Sequence, residues 1–286
     1  MAKFNNLGYY NGQIGEAGDL RIPLLDRANY FGDGVYDATA GSNKVIFALD
    51  EHIDRFWNSS SGIGLDLPFS KKELKDKLYE LLEQFNGSDF FIYWQVSRGT
   101  APRKHVFPQQ VKPNLMVLIN PFKLPDLNQK YKLITFKDLR FEYCNIKTLN
   151  LLPSVLASQA AAEKGAQEAV FYRSCGTVTE CAHSNVSILK NGILKTHPVN
   201  RFILPGIARK HLINKAKELC IEVLEENFSV DELFDADEIL ITNSGTFCAS
   251  VEEIDGKAAG GKAPELVKKL QTALVNEFLE ATKIKK

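Results

Sequence analysis

At 286 residues the chain is longer than one hydrophobic core comfortably supports, so two packed domains are the first expectation. Its 35 basic and 35 acidic side chains leave no formal net charge, which argues against nucleic acid or an acidic membrane recognised through a general electrostatic field. The N-terminus lacks a signal-peptide pattern, no segment has the length of a membrane span, and five cysteines without ligand-like spacing point to reduced thiols, not to a disulfide framework or a metal site. A cytoplasmic protein is expected.

Strand and helix signals alternate irregularly, predicting an α+β fold. Asn11-Gly12 reads as a hairpin turn, followed by short strands at 35–39 and 45–48. Helices are expected at 51–60 and 71–85, the second with Ser70 as N-cap and Leu74, Leu78, Leu81 and Leu82 at helical spacing. The apolar runs 90–97 and 115–119 read as buried strands. A proline-interrupted stretch, 121–131, is read as the linker between a small N-terminal domain (1–120) and a large C-terminal domain (132–286). Strands then follow at 132–136, 168–172, 185–190, 193–196 and 238–242, with Asn191-Gly192 turning a second hairpin. Helices are expected at 151–164, closed by Gly165, at 207–219 and at 263–282.

Lys147 and Glu180 stand at breaks between apolar segments, where side chains can face a cleft. A lysine can hold pyridoxal phosphate as a Schiff base, and a carboxylate on the pyridine nitrogen keeps the ring protonated and electron-withdrawing. Gly206 precedes a helical stretch whose opening amides, those of Ile207 and Ala208, would make a phosphate cradle at the positive end of the helix dipole, although a glycine before a helix is more often just a turn. Arg55 can add a permanent charge to a phosphate, although an arginine on a helix is ordinarily solvated or ion-paired. Ser244-Gly245-Thr246 offers hydroxyls and amides at the carboxyl end of a strand, where turn chemistry explains them equally well. Cys181, beside Glu180, reads as a small residue filling space.

Seven segments carry a further signal: Phe31-Gly32-Asp33-Gly34-Val35-Tyr36, Glu51-His52-Ile53-Asp54-Arg55, the run from Gln95 to His105, the Lys147 and Glu180 segments, Ile203-Leu204-Pro205-Gly206-Ile207, and Ile254-Asp255-Gly256-Lys257. In this order, over nearly the whole chain, they resemble the fold-type-IV pyridoxal-phosphate enzymes and most closely the bacterial D-amino-acid aminotransferases. The resemblance implies that Lys147 binds the cofactor covalently and shuttles a proton, while Glu180 pairs with the ring nitrogen. It implies a phosphate held by Arg55, Ile207 and Ala208 with help from Thr246, and a ring steadied by Asn185 and Leu204. It also implies a small and a large domain with the cofactor between them, in a homodimer that completes the site.

On the substrate side, a spacing of two puts Arg103 and His105 on the same side of an extended chain, where both can donate to one carboxylate. This Arg-x-His resembles the carboxylate trap of the D-aminotransferases, supplied by the neighbouring protomer, with the Tyr36 hydroxyl nearby. The implied reaction is transamination between a D-amino acid, such as D-alanine or D-glutamate, and a 2-oxo acid. Branched-chain L-amino-acid aminotransferases and aminodeoxychorismate lyases share the fold and are the alternatives, but neither gives Arg103 and His105 a role. One departure is Cys181-Ala182-His183 ahead of Ser184-Asn185, where relatives often carry serines. His183 either disturbs the cofactor's hydrogen bonds or, the favoured reading, occupies space behind it.

Overall fold

A computed structural model describes residues 3–283, and the chain divides into two compact units. The first runs to Lys123 and takes in Ile146–Asn150 and the residues from Glu280. The second comprises Leu124–Asn145 and Leu151–Leu279. Beyond a single cut at 121–131, two segments belong to the first unit: the short one carrying Lys147 and the residues from Glu280.

The first unit contains β1 (Leu7–Tyr10), β2 (Gln13–Glu16), α1 (Arg27–Phe31), β3 (Gly34–Ser42), β4 (Val45–Ile46), α2 (Leu49–Gly62), α3 (Lys71–Leu82), β5 (Asp89–Ser97) and β6 (Asn114–Pro121). Its strands form an antiparallel sheet in the order β2-β1-β6-β5-β3-β4. Along β5 the side chains of Phe90, Ile92, Trp94 and Val96 are buried, and they pack with Ile53 and Phe56 of α2 and with Leu74, Leu78, Leu81 and Leu82 of α3. This is the period-two face of a strand meeting the 3.6-period stripe of two helices. Ser70 caps α3 as its sequence predicts, accepting from Glu73 N (3.2 Å) while Ser70 N donates to Glu73 Oε2 (2.7 Å). Helix α1 was not anticipated, because five residues are too few to show a period.

The second unit contains β7 (Lys130–Lys137), α4 (Leu152–Glu163), β8 (Glu168–Tyr172), β9 (Val178–Cys181), β10 (Asn185–Lys190), β11 (Ile193–Thr196), α5 (Ile207–Glu218), β12 (Val223–Glu225), α6 (Val230–Asp235), β13 (Glu238–Thr242), β14 (Ala249–Ile254), β15 (Lys257–Ala258) and α7 (Pro264–Thr282). Its mixed sheet follows the order β12-β11-β10-β13-β14-β7-β8-β9, with β15 on β14. Ala157 and Ala161 of α4 pack on Ile134, Ala169 and Phe171, while Leu212 and Ala216 of α5 and Leu270 and Leu274 of α7 pack on Leu189, Leu194 and Leu240. Strands β8, β10, β11 and β13 have the extents their apolar runs predict. The short strand β9 does not read from sequence, because Thr179 and Glu180 are buried polar residues whose partners lie far along the chain. Among the described residues no helix is long and apolar enough to cross a membrane.

Candidate active site

In the first unit the Lys147 segment is fastened to β3 by its main chain. Tyr36 N donates to Lys147 O (2.9 Å) and Leu149 N to Gly34 O (3.1 Å). Position 34 tolerates this close approach only as glycine, since a Cβ there would lie 2.4 Å from Val96 O and 2.8 Å from Leu149 Cδ1. Lys147 N donates to Ser59 Oγ of α2 at 3.1 Å, and Lys147 Nζ stands 4.3 Å from the centre of the Tyr36 ring. The ammonium thus meets an aromatic face, and among the described residues it has no carboxylate partner. Tyr36 in turn stacks on Tyr93 (5.3 Å), its diagonal neighbour across the β3–β5 pairing.

Asp37, next to Tyr36, points to the opposite face of β3 and meets α2, on which His52, Arg55 and Ser59 share a side. Arg55 Nε and Nη2 donate to Asp37 Oδ2 and Oδ1 at 2.9 and 2.7 Å, and His52 Nδ1 lies 2.7 Å from Oδ1. Burial alone would raise the Asp37 carboxyl, but Arg55 and His52 hold it well below the usual carboxylate range. Burial pushes the His52 imidazole below its usual value, against the opposing pull of Asp37. Asp37 and Arg55 therefore form the charged pair and His52 is neutral. The Arg55 guanidinium is thus ion-paired, the ordinary state of an arginine on a helix, with an aspartate whose role no spacing in the sequence announces.

Arg103 and His105 are both exposed, on the loop after β5. The Arg103 guanidinium lies 5.1 Å from the centre of the Phe31 ring, and the His105 ring lies 5.1 Å from the same ring. The structure thus brings the two to one aromatic plate, and Arg103 has no carboxylate partner among the described residues. Arg27 pins the loop by donating to Lys104 O (2.7 Å) while paired with Asp33 (2.7 Å). An open cavity of about 270 Å³ beside it is lined by Arg27, Phe31, Asp33, His105, Thr148 and Asn150, so His105 and the residue after Lys147 share a wall.

In the second unit Glu180 is buried on β9 and fully engaged. Arg140 Nη1 donates to its Oε1 at 2.6 Å, and Asn185 Nδ2 and Leu204 N donate to its Oε2 at 3.0 and 2.9 Å. Arg140 is itself held by Asp138, through Nε on Oδ1 and Nη2 on Oδ2, both at 3.0 Å, and lies over the Phe171 ring at 4.4 Å. Burial opposes the charge on Arg140, but Glu180 and Asp138 more than offset it and raise its pKa. This chain of alternating charges keeps Glu180 an anion in a dry place. Asp138 and Arg140 escaped the sequence reading because Arg140 is 40 positions from its carboxylate, beyond any local pattern.

Helix α5 opens at Gly206 without a side-chain cap, leaving Ile207 and Ala208 as its first residues. Asn185 touches this start: a Cβ on Gly206 would fall 1.9 Å from Asn185 Oδ1. Asn185 also pairs with Thr242 across β10 and β13, and the next turn contains Thr246, whose buried Oγ1 has no hydrogen-bond partner among the described residues. A buried hydroxyl of this kind is free to bond a group from outside the chain. His183 is 57% exposed at its side chain and lies 3.0 Å from Glu168 Oε1. Cys181 is buried, and burial raises its thiol well above the usual value, which fits a space-filling role.

The family model for amino-transferase class IV matches residues 34–254. A D-alanine aminotransferase from Bacillus licheniformis is 40% identical over 276 residues, covering 96% of this chain and 97% of the relative. One from Staphylococcus haemolyticus is 38% identical over 277 residues, covering 96% and 98%. Among solved structures, the branched-chain amino acid aminotransferase from Escherichia coli superposes with a TM-score of 0.88 at 24% identity, covering 98% of this chain and 97% of that one. That structural likeness speaks for the fold, and the sequence match spans both strands that carry Tyr36 and Glu180 as well as the segment of Lys147. On these grounds the chain belongs to the class IV amino-transferase family, with fold-type-IV architecture.

Proposed function

We propose that the protein is a pyridoxal-phosphate-dependent aminotransferase acting between a D-amino acid, such as D-alanine or D-glutamate, and a 2-oxo acid. The observation that carries the D-specific reading is the pair Arg103 and His105 on the Phe31 ring, a cation and an imidazole without an acidic partner among the described residues, in a chain 40% identical to a D-alanine aminotransferase. Three features fit the cofactor: a Lys147 ammonium without a carboxylate partner among the described residues, a buried Glu180 paired with Arg140, and the start of α5 without a side-chain cap, with a Thr246 hydroxyl that has no partner among the described residues.

When bound, the cofactor supplies an electron-withdrawing ring that stabilises negative charge at the substrate's α-carbon. In this reading Glu180 keeps the proton on the ring nitrogen, with Asn185 and Leu204 fixing the carboxylate. Arg55, its plane set by Asp37, joins Ile207, Ala208 and Thr246 in holding phosphate. Lys147 Nζ would take the substrate's α-proton and pass it on to the cofactor's C4′ carbon, so that the proton does not return to the α-carbon. Arg103, His105 and the Tyr36 hydroxyl hold the substrate carboxylate.

With the carboxylate fixed and Nζ on one side, only one enantiomer can present its Cα–H to the lysine. Positioning of this kind is worth up to roughly 7–11 kcal/mol, so D-alanine and D-glutamate are expected to turn over at least about a hundredfold faster than their L forms. A panel of D- and L-amino acids with pyruvate and 2-oxoglutarate tests this. If L-valine or L-leucine is the better donor, the D-specific reading fails and a branched-chain activity replaces it.

A homodimer in the cytoplasm completes the reading. Val106 and Phe107, directly after His105, are 72% and 58% exposed, an apolar surface suited to burial against a second copy. The five free cysteines suit a reducing compartment. Light scattering is expected to give twice the chain mass; a fully active monomer would contradict the shared site.

A further inference from the structure

Glu168, the first residue of β8, has no exposed surface and no lysine or arginine partner among the described residues. Burying such a carboxylate is costly, and burial indeed pushes its carboxyl above the ordinary glutamate value. What compensates it is one short stretch of chain. Its Oε1 accepts from His183 N at 2.7 Å and lies 3.0 Å from His183 Nδ1, and its Oε2 accepts from Ser184 Oγ at 2.8 Å.

The consequence runs onward. Because Ser184 commits its only hydroxyl hydrogen to Glu168, its oxygen can serve Asn243 only as an acceptor, and Asn243 Nδ2 donates to it at 2.9 Å. With Nδ2 so occupied, Asn243 Oδ1 must face the turn after β13, where it accepts from Gly245 N at 2.7 Å and Thr246 N at 2.8 Å. The carboxylate at the head of this series and the two backbone N–H groups at its end agree on the direction of every hydrogen bond between them, and at that end the Thr246 hydroxyl is buried without a partner among the described residues. Were the Ser184 hydroxyl free to donate to Asn243, the amide could rotate by half a turn. Its NH₂ would then confront the two backbone N–H groups, and the turn would open.

Resting on the reading that this turn meets the cofactor's phosphate, we propose that Glu168 is a positioning residue for the Thr246 turn, acting through Ser184 and Asn243, with the half-exposed His183 standing between the carboxylate and solvent. A neutral side chain of similar shape at 168 would fill the same space but would not fix the direction of the series. A role in phosphate holding through orientation, and not through packing alone, follows from that difference.

The test uses the full-length holoenzyme and measures two quantities besides turnover: the dissociation constant of pyridoxal phosphate, and the phosphorus NMR shift of the bound cofactor. Ser184→Ala is expected to weaken cofactor binding about tenfold, the scale of one hydrogen bond, and to move the phosphorus resonance. Ser184→Thr, which keeps the hydroxyl, is expected to restore both. Glu168→Gln is the second variant, expected to move the resonance in the same direction as Ser184→Ala and to stand in for it should that protein fail to fold. Thr246→Val separates the two levels of the argument. If Thr246→Val weakens binding while Ser184→Ala and Glu168→Gln match the wild type, the positioning role is overturned and the phosphate reading survives. If Thr246→Val is silent, the phosphate lies elsewhere and both fall.

Discussion

Lys147→Ala is expected to lower transamination by at least about 10⁴-fold, at the upper end of what a positioned proton-transfer group contributes, because the lysine has the further task of binding the cofactor covalently. The visible, pH-dependent absorbance of the lysine-bound cofactor is expected to vanish with it. The fold should survive. The segment's hold on β3 and α2 runs through the main chain of Tyr36, Lys147, Leu149 and Gly34 and the Ser59 hydroxyl, none of which the substitution removes. What is lost is an ammonium resting over the Tyr36 ring, a contact worth about 0.5–1 kcal/mol where solvent reaches it. Circular dichroism matching the wild type, with the absorbance gone, is the predicted combination. An intact band would mean that another lysine carries the cofactor.

Glu180→Gln is the second large effect, a fall in turnover of about a hundredfold or more, the scale of losing one preorganised electrostatic contact at a reacting centre. Two consequences compete in this variant and their sizes decide between them. Removing one partner of a buried ion pair can cost about 3–5 kcal/mol of stability when the other charge is stranded. Arg140 is not stranded, since Asp138 still holds it through two hydrogen bonds at 3.0 Å. The stability loss should therefore be nearer the roughly 1–3 kcal/mol of an impaired charge-assisted bond, and the protein should stay folded while the rate falls. Measuring kcat beside the thermal midpoint distinguishes the outcomes: an unchanged kcat would remove Glu180 from the chemistry.

The sequence carried the elements whose signal is local. Strands β8, β10, β11 and β13 are apolar runs with turn residues at their ends, and Asn11-Gly12 and Asn191-Gly192 take positive φ at both positions, as two-residue hairpins between twisted strands require. Lys147 and Glu180 could be singled out as candidates because few structural tasks ask for those residues at breaks between apolar runs. Their supports were not. Asp37, Asp138 and Arg140 act by meeting Arg55, Thr179 and Glu180, which lie 18, 41 and 40 positions away, and a carboxylate that will be buried among such partners reads no differently from one that will be solvated. Strand β9 was hidden for the same reason, since Thr179 and Glu180 look like a loop until Asp138 and Arg140 are brought to them.

Gly206 has a consequence for how this protein can vary. The absence of a side chain there admits Asn185 Oδ1 to within 1.9 Å of where a Cβ would stand, while the other end of that same amide donates to Glu180 and to Leu204 O, each at 3.0 Å. Alanine at 206 would gain about 0.4–1 kcal/mol from the unfolded chain, the usual attraction of such a change for a protein engineer. Here it would displace the asparagine and disturb the carboxylate that Asn185 holds. A smaller residue at 185 could make room, but only by deleting a donor to Glu180. The start of α5 and the anion on β9 are therefore mechanically coupled, and drift at either position is confined to steps the other can accommodate.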